Sequence, residues 1–190
     1  MTRWTKLAGT LLLICLLMAL ATGAFAARHR IVLECEKYNE IKASTKVVSG
    51  DTNASGGKYV EYPLRRPHAT SENSAVKGDG GFVTFKVKIP EQGNYTIWVR
   101  TNWYDGCANS FFLVVDTKAP VTIGGDGTYK VWKWRKASQP FALTAGTHAI
   151  KIQNREDGAK ADQFLVTNDS RFMPTRVMTA TPEFQVPPPE

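Results

Sequence analysis

Phe82-Val83-Thr84-Phe85-Lys86-Val87-Lys88-Ile89 is the stretch on which the fold turns. Val83, Phe85, Val87 and Ile89 fall on one side of an extended chain, and Thr84, Lys86 and Lys88 on the other. A period of two is that of a strand buried on one face and wet on the other. Pro90-Glu91-Gln92-Gly93-Asn94 breaks it, because proline cannot donate to a ladder and glycine and asparagine favour turns. Tyr95–Thr101 then resumes the alternation, so the spacing predicts a hairpin with a short loop.

The same signal recurs on both sides. Ile31–Glu36, Lys58–Tyr62, Ser110–Asp116, Thr128–Trp134, Phe141–Leu143, Thr147–Gln153 and Asp162–Asn168 read as strands. Turn residues at Gly50-Asp51, Gly56-Gly57, Gly78–Gly81, Gly124–Gly127 and Ala145-Gly146 separate them. No stretch carries three turns of amphipathic helix, and no strand–helix–strand rhythm appears. The expected fold is all-β, an antiparallel two-sheet jelly-roll β-sandwich over residues 27–172. Residues 173–190 carry Pro174, Pro182 and Pro187-Pro188-Pro189 without periodicity, and read as an extended, poorly ordered tail.

Residues 1–26 form a separate segment. Arg3 and Lys6 precede an apolar run from Leu7 to Ala21, and Ala24-Phe25-Ala26 places small residues where a signal peptidase cuts. This predicts a signal peptide cleaved before Ala27 and a protein that is secreted, extracellular or periplasmic. The run is too short to span a bilayer, so contact with a membrane is expected only through this segment if it stays uncleaved. The charge of +7, from 24 Lys+Arg against 17 Asp+Glu, is spread over strand faces. Nucleic acid is not expected as a partner, because it calls for clustered basic charge and a motif. Cys35 and Cys107 remain after cleavage; they read either as a disulfide or as free thiols with Cys35 inside a strand.

Covalent catalysis finds no support in the sequence. His29, His68 and His148 are scattered, and neither H-E-x-x-H nor G-x-S-x-G occurs, so the chain is read as not an enzyme. Asp51-Thr52-Asn53-Ala54-Ser55-Gly56 imitates half of a calcium loop, but Tyr62 stands where the closing glutamate belongs, and a polar turn is the better reading.

Two groups carry chemistry. Glu34 and Glu36 lie two apart on the first strand, about 7 Å along one face. First and last strands are commonly neighbours, which would bring Asp162 beside them. Three carboxylates are the hard-oxygen set that Ca²⁺ prefers, and a solvated acidic face is the alternative. The second group is aromatic: Trp103-Tyr104-Asp105-Gly106 with Asn109, and Trp132-Lys133-Trp134-Arg135. Sugars stack a C–H face on flat rings and need amide, carboxylate or guanidinium partners for their hydroxyls. The alternative is that some of these tryptophans close the core.

Leu33-Glu34-Cys35-Glu36, Gly56-Gly57-Lys58-Tyr59-Val60, Val83–Pro90, Gly93–Arg100, Asn109–Asp116, Trp132-Lys133-Trp134, Leu143–His148 and Asp162–Thr167 follow one another in a familiar order. In that order the chain resembles the galactose-binding-like β-sandwiches of carbohydrate-binding module families 6 and 35, from about residue 31 to 168. The resemblance implies a structural Ca²⁺ on Glu34, Glu36 and Asp162, and ligand stacking on Tyr104 and Trp132 or Trp134. Asn109, Arg155 and Asp157 are the expected hydrogen-bonding partners. Lys160 stands where family 6 commonly has asparagine, and Arg155-Glu156-Asp157-Gly158 is the alternative source of polar contacts. The expected function is a monomeric, non-catalytic protein that binds a polysaccharide or oligosaccharide. A structural or adhesive cell-surface sandwich that binds protein is the alternative.

Overall fold

The computed structural model describes residues 27–42, 44–63 and 81–188; the signal-peptide reading and His68 lie outside them. The strands are β1 (Arg30–Glu34), β2 (Glu40–Lys42), β3 (Lys46–Ser49), β4 (Lys58–Glu61), β5 (Phe82–Ile89), β6 (Gly93–Asn102), β7 (Ser110–Val115), β8 (Val121–Gly124), β9 (Trp132–Lys136), β10 (Phe141–Leu143), β11 (Gly146–Asn154) and β12 (Lys160–Thr167). They form two antiparallel sheets. One runs β10-β6-β12-β4-β3, with β1 also on β12 and β9 also on β6; the other runs β2-β5-β11-β7-β8. The all-β sandwich expected from the alternation is the fold found.

The predicted hairpin between β5 and β6 is not. β5 pairs with β2 and β11, whereas β6 pairs with β9, β10 and β12. The turn after Ile89 therefore carries the chain from one sheet to the other. Both strands have an apolar face, and each can bury it only by facing the other sheet across the core. Val83, Phe85, Val87 and Ile89 meet Tyr95, Ile97 and Val99 there, and the Phe85 and Phe164 rings touch across the sheets at 4.5 Å between centroids. β1 and β12 are neighbours as expected, with Leu33 opposite Phe164 and Glu34 opposite Gln163.

Of the two readings of the cysteines, the free thiols are the one found. Cys35 is a fully buried member of the core and Cys107 is exposed, and both are free. Burial pushes the Cys35 thiol well above its usual value, with the neighbouring acids Asp162, Glu36 and Glu34 adding to the effect.

Residues 173–188 also depart from the expected loose tail: they lie as a strap across the sandwich. Trp134 Nε1 donates to the Arg176 carbonyl at 2.8 Å. Met178 exchanges two hydrogen bonds with the Gln163 amide, at 3.0 and 2.7 Å. Thr181 N donates to Val32 O, and Val32 N to Thr181 Oγ1. Farther on, Val186 N donates to Lys86 O on the second sheet, and Phe184 packs on the core between. These anchors are mainly main-chain groups, which need no apolar period, so the sequence pattern gave no sign of them.

Candidate functional site

On the outer face of the larger sheet, β6 presents Trp98, Arg100 and Asn102, two residues apart each time. β9 sets Lys136, Trp134 and Trp132 opposite them in register. The strap divides this face in two. Val32, Trp134 and Leu165 are buried together, with Trp98, Phe172 and Met178 packed on them. Beyond the strap the face is open, and a groove of about 470 Å³ is lined by Asp51, Asn53, Arg100, Asn102, Lys130, Val131 and Trp132.

Trp132 is the aromatic floor of the groove. Its half-buried indole donates Nε1–H to Asp51 Oδ2 at 2.8 Å. The ring meets Tyr59 edge-on at 5.5 Å, and the Arg100 guanidinium lies 5.3 Å from its centroid. Asp51 is itself fixed, because its Oδ1 accepts from Asn53 N and Nδ2 in a tight polar turn, as the sequence of that loop predicts. Lys160, the residue that departs from the family 6 pattern, lies with Nζ 5.0 Å from the Tyr59 ring and covers it.

The β8–β9 connection carries Lys130 and Val131 to the groove. Gly124 starts it where β8 crosses β7, and a Cβ there would lie 2.1 Å from Asn109 O. Lys130 holds a left-handed φ of 57°, a conformation that non-glycine residues adopt only when their surroundings impose it. Its N–H donates to Trp103 O at 2.7 Å. Arg135 clamps the connection, donating to Asp126 Oδ1 and to the Thr128 and Thr101 carbonyls.

Burial alone would push the Asp126 carboxyl up, but hydrogen bonds from Lys133 and Arg135 outweigh it and hold it well below the usual carboxylate range. A carboxyl depressed on folding adds stability above its unfolded value, about 3.9, and loses it as pH falls. Asp126→Asn is therefore expected to lower the melting temperature at pH 7, with the deficit closing below about pH 4. A deficit that is the same at every pH would show that charge has no part in it.

The structure separates the residues singled out for ligand binding. Trp132 lines the groove and Tyr104 stands exposed near it, with Lys130 Nζ 5.6 Å from its ring. Trp134 shares the sheet face but is buried under the strap, so it does not border the open groove. Trp103 is fully buried, packed edge-on against Phe111 and under Arg135. Asn109, Arg155 and Asp157 do not reach the groove lining: Asp157 is buried, and the other two are held by Glu156. Asn109 N and Ser110 Oγ donate to Glu156 Oε2, and Arg155 donates to Oε1. Asn102, Asn53 and Asp51 replace them. One further step of the β6 alternation from Trp98 and Arg100 reaches Asn102, so that residue was legible; the fold of the Asp51 loop was not.

The three carboxylates adjoin one another, but their partners differ. Glu34 Oε1 accepts from Ser55 Oγ and Gln163 Nε2, both at 2.8 Å. Asp162 takes the Arg100 guanidinium on one oxygen and Ser55 N on the other. Burial pushes the Asp162 carboxyl up to about 6 even so. Glu34 Oε2 and Glu36 Oε2 are buried with no hydrogen-bond partner, and burial, with Glu34 and Asp162 nearby, raises the Glu36 carboxyl too. Among the described residues, no three His, Cys, Asp or Glu side chains converge as a metal-holding group. The two orphaned glutamate oxygens fit a hard cation, whereas Asp162 already has a counter-ion.

No protein-family model matches the chain. A relative from Formosa agariphila, itself described as uncharacterised, is 26% identical over 73% of this chain; the chain spans 41% of that protein's length. Among solved structures, a family 35 carbohydrate-binding module from Clostridium thermocellum superposes with a TM-score of 0.54 at 17% identity, over 73% of this chain and 97% of its own. The C-terminal family 6 module of a marine laminarinase from Zobellia galactanivorans gives 0.53 at 17% identity, over 74% and 100%. A family 6 module of the Cellvibrio mixtus lichenase 5A, in complex with cellotriose, gives 0.50 at 18% identity, over 72% and 95%. By architecture, then, this chain has the β-sandwich fold of the carbohydrate-binding modules of families 6 and 35.

Proposed function

We propose that the chain is a secreted, non-catalytic carbohydrate-binding module, and that it holds an oligosaccharide or polysaccharide in the groove at Trp132. The observation that carries this reading is a half-exposed indole, fixed by Asp51, in an open polar groove. A sugar ring stacks on the indole while Asn53, Asn102 and Lys130 meet its hydroxyls. The cellotriose held by the Cellvibrio mixtus module supports the ligand class. A groove this shallow binds weakly, with a dissociation constant of ~0.1–1 mM, or about 4–5.5 kcal/mol.

The adhesive alternative draws on Tyr104, Tyr129 and Val131, which are exposed around the groove. A glycan array with soluble, calcium-loaded protein separates the two. Binding of one linkage class is expected, and an array without hits favours a protein partner.

A structural Ca²⁺ belongs to the same proposal. Glu34 and Glu36 would hold it through the oxygens that lack partners, with Asp162 supporting them from its pair with Arg100. When bound, the ion neutralises like charges that burial otherwise sets against one another. Millimolar calcium is expected to raise the melting temperature by several degrees and EDTA to reverse it. Unchanged melting would remove the ion from the account.

A further inference from the structure

We propose that residues 172–179 form a displaceable cover, and that the face beneath them, built on Trp134 and Trp98, is a second saccharide-binding surface continuous with the groove. This rests on the reading of the groove as a saccharide site. Trp132 and Trp134 lie two apart on one strand face, about 7 Å from each other, and the cover begins between them. A saccharide chain stacked on Trp132 and running along β9 meets the strap at the next ring.

The contacts under the cover are of the kind that a sugar makes. The Trp134 indole N–H donates to the Arg176 carbonyl, as it would to a hydroxyl oxygen. The Gln163 amide both donates to and accepts from Met178, as it would with one hydroxyl group. Trp98 Nε1 is buried with no acceptor. The strap therefore leaves one donor on this face unsatisfied, at a cost that a better-fitting occupant removes.

The cover is also built to move. Met173 is 70% exposed and Val177 42%, and the arch of residues 172–179 encloses about 400 Å³ of open space. The hydrogen bonds to Trp134 and Gln163 and the packing of Phe172 and Met178 hold the arch down. Such a local set of contacts opens at lower free energy than the core. Both ends of the arch are pinned independently of it. Phe172 N donates to Asp169 O before it, and Thr181 is latched to Val32 after it. The arch can lift while Phe184 stays in the core.

Cello-oligosaccharides of increasing length, titrated into the full chain and into two opened forms, test this. One form ends at Phe172; the other carries Met178→Ala with Arg176→Gly and keeps Phe184, in case the truncated chain does not fold. Acrylamide quenching of tryptophan emission shows independently that the arch has lifted. Opened forms are expected to bind the longer oligosaccharides about tenfold tighter and the shortest ones unchanged, with the gain lost on adding Trp134→Phe. Equal affinities in full and opened forms at every length would overturn the cover and leave the groove standing. Binding by none of the proteins would overturn both.

Discussion

Replacing Trp132 with alanine should erase retention of the protein on a polysaccharide in affinity electrophoresis. The indole supplies the stacking surface and also donates to Asp51 Oδ2, so its removal takes away the platform and leaves that oxygen without its donor. An aromatic anchor of this kind contributes about 2 kcal/mol or more, roughly a thirtyfold weakening. Starting from a millimolar complex, that is loss of measurable binding. Trp132 is half-exposed, so melting should change little. Trp134→Ala is expected to leave retention intact while the strap is closed. If Trp132→Ala migrates like the parent protein, the groove is not where saccharide binds.

Trp103→Ala should have the largest effect on stability. Trp103 is fully buried, with Phe111 4.9 Å from its ring centroid and the Arg135 guanidinium at 4.7 Å. Losing an indole from such a site costs about 3–5 kcal/mol, a large part of the 5–15 kcal/mol typical of a folded domain. For a chain of this size the melting temperature should fall by roughly 6–20 °C. The main-chain carbonyl of residue 103, which accepts from Lys130 N, survives the substitution, so the loss is one of core packing. Thermal unfolding followed by circular dichroism measures the loss, and Trp103→Phe should recover part of it. A shift under a degree would mean that the indole is not packed as described.

Sequence and structure agree where one physical rule acts alone. Phe82–Ile89 and Phe141–Leu143 are strands with the predicted bounds, because alternation reports burial on one side. β2 and β3 are short and largely solvated, with burial patterns that lack a clear period, so alternation could not report them. The sheet to which a strand belongs was also hidden, since β5 and β6 have the same pattern and face each other. The site was half legible. Composition pointed to Trp132 but equally to Trp134, and only the strap tells the open indole from the covered one. Asn109 and Arg155 drew notice as polar types in loops, yet the Asn109 amide donates to Gly106 O and the Arg155 guanidinium to Glu156. Residue type cannot show that a polar group is already engaged.

The unequal fates of Cys35 and Cys107 have a practical use. With one thiol sealed in the core and the other in solvent, a maleimide dye reaches a single position among the described residues. That position lies in the turn after Tyr104, where Tyr104 N donates to Ala108 O. A fluorophore attached there labels the turn that follows Tyr104 and reports changes in that turn with no residue altered.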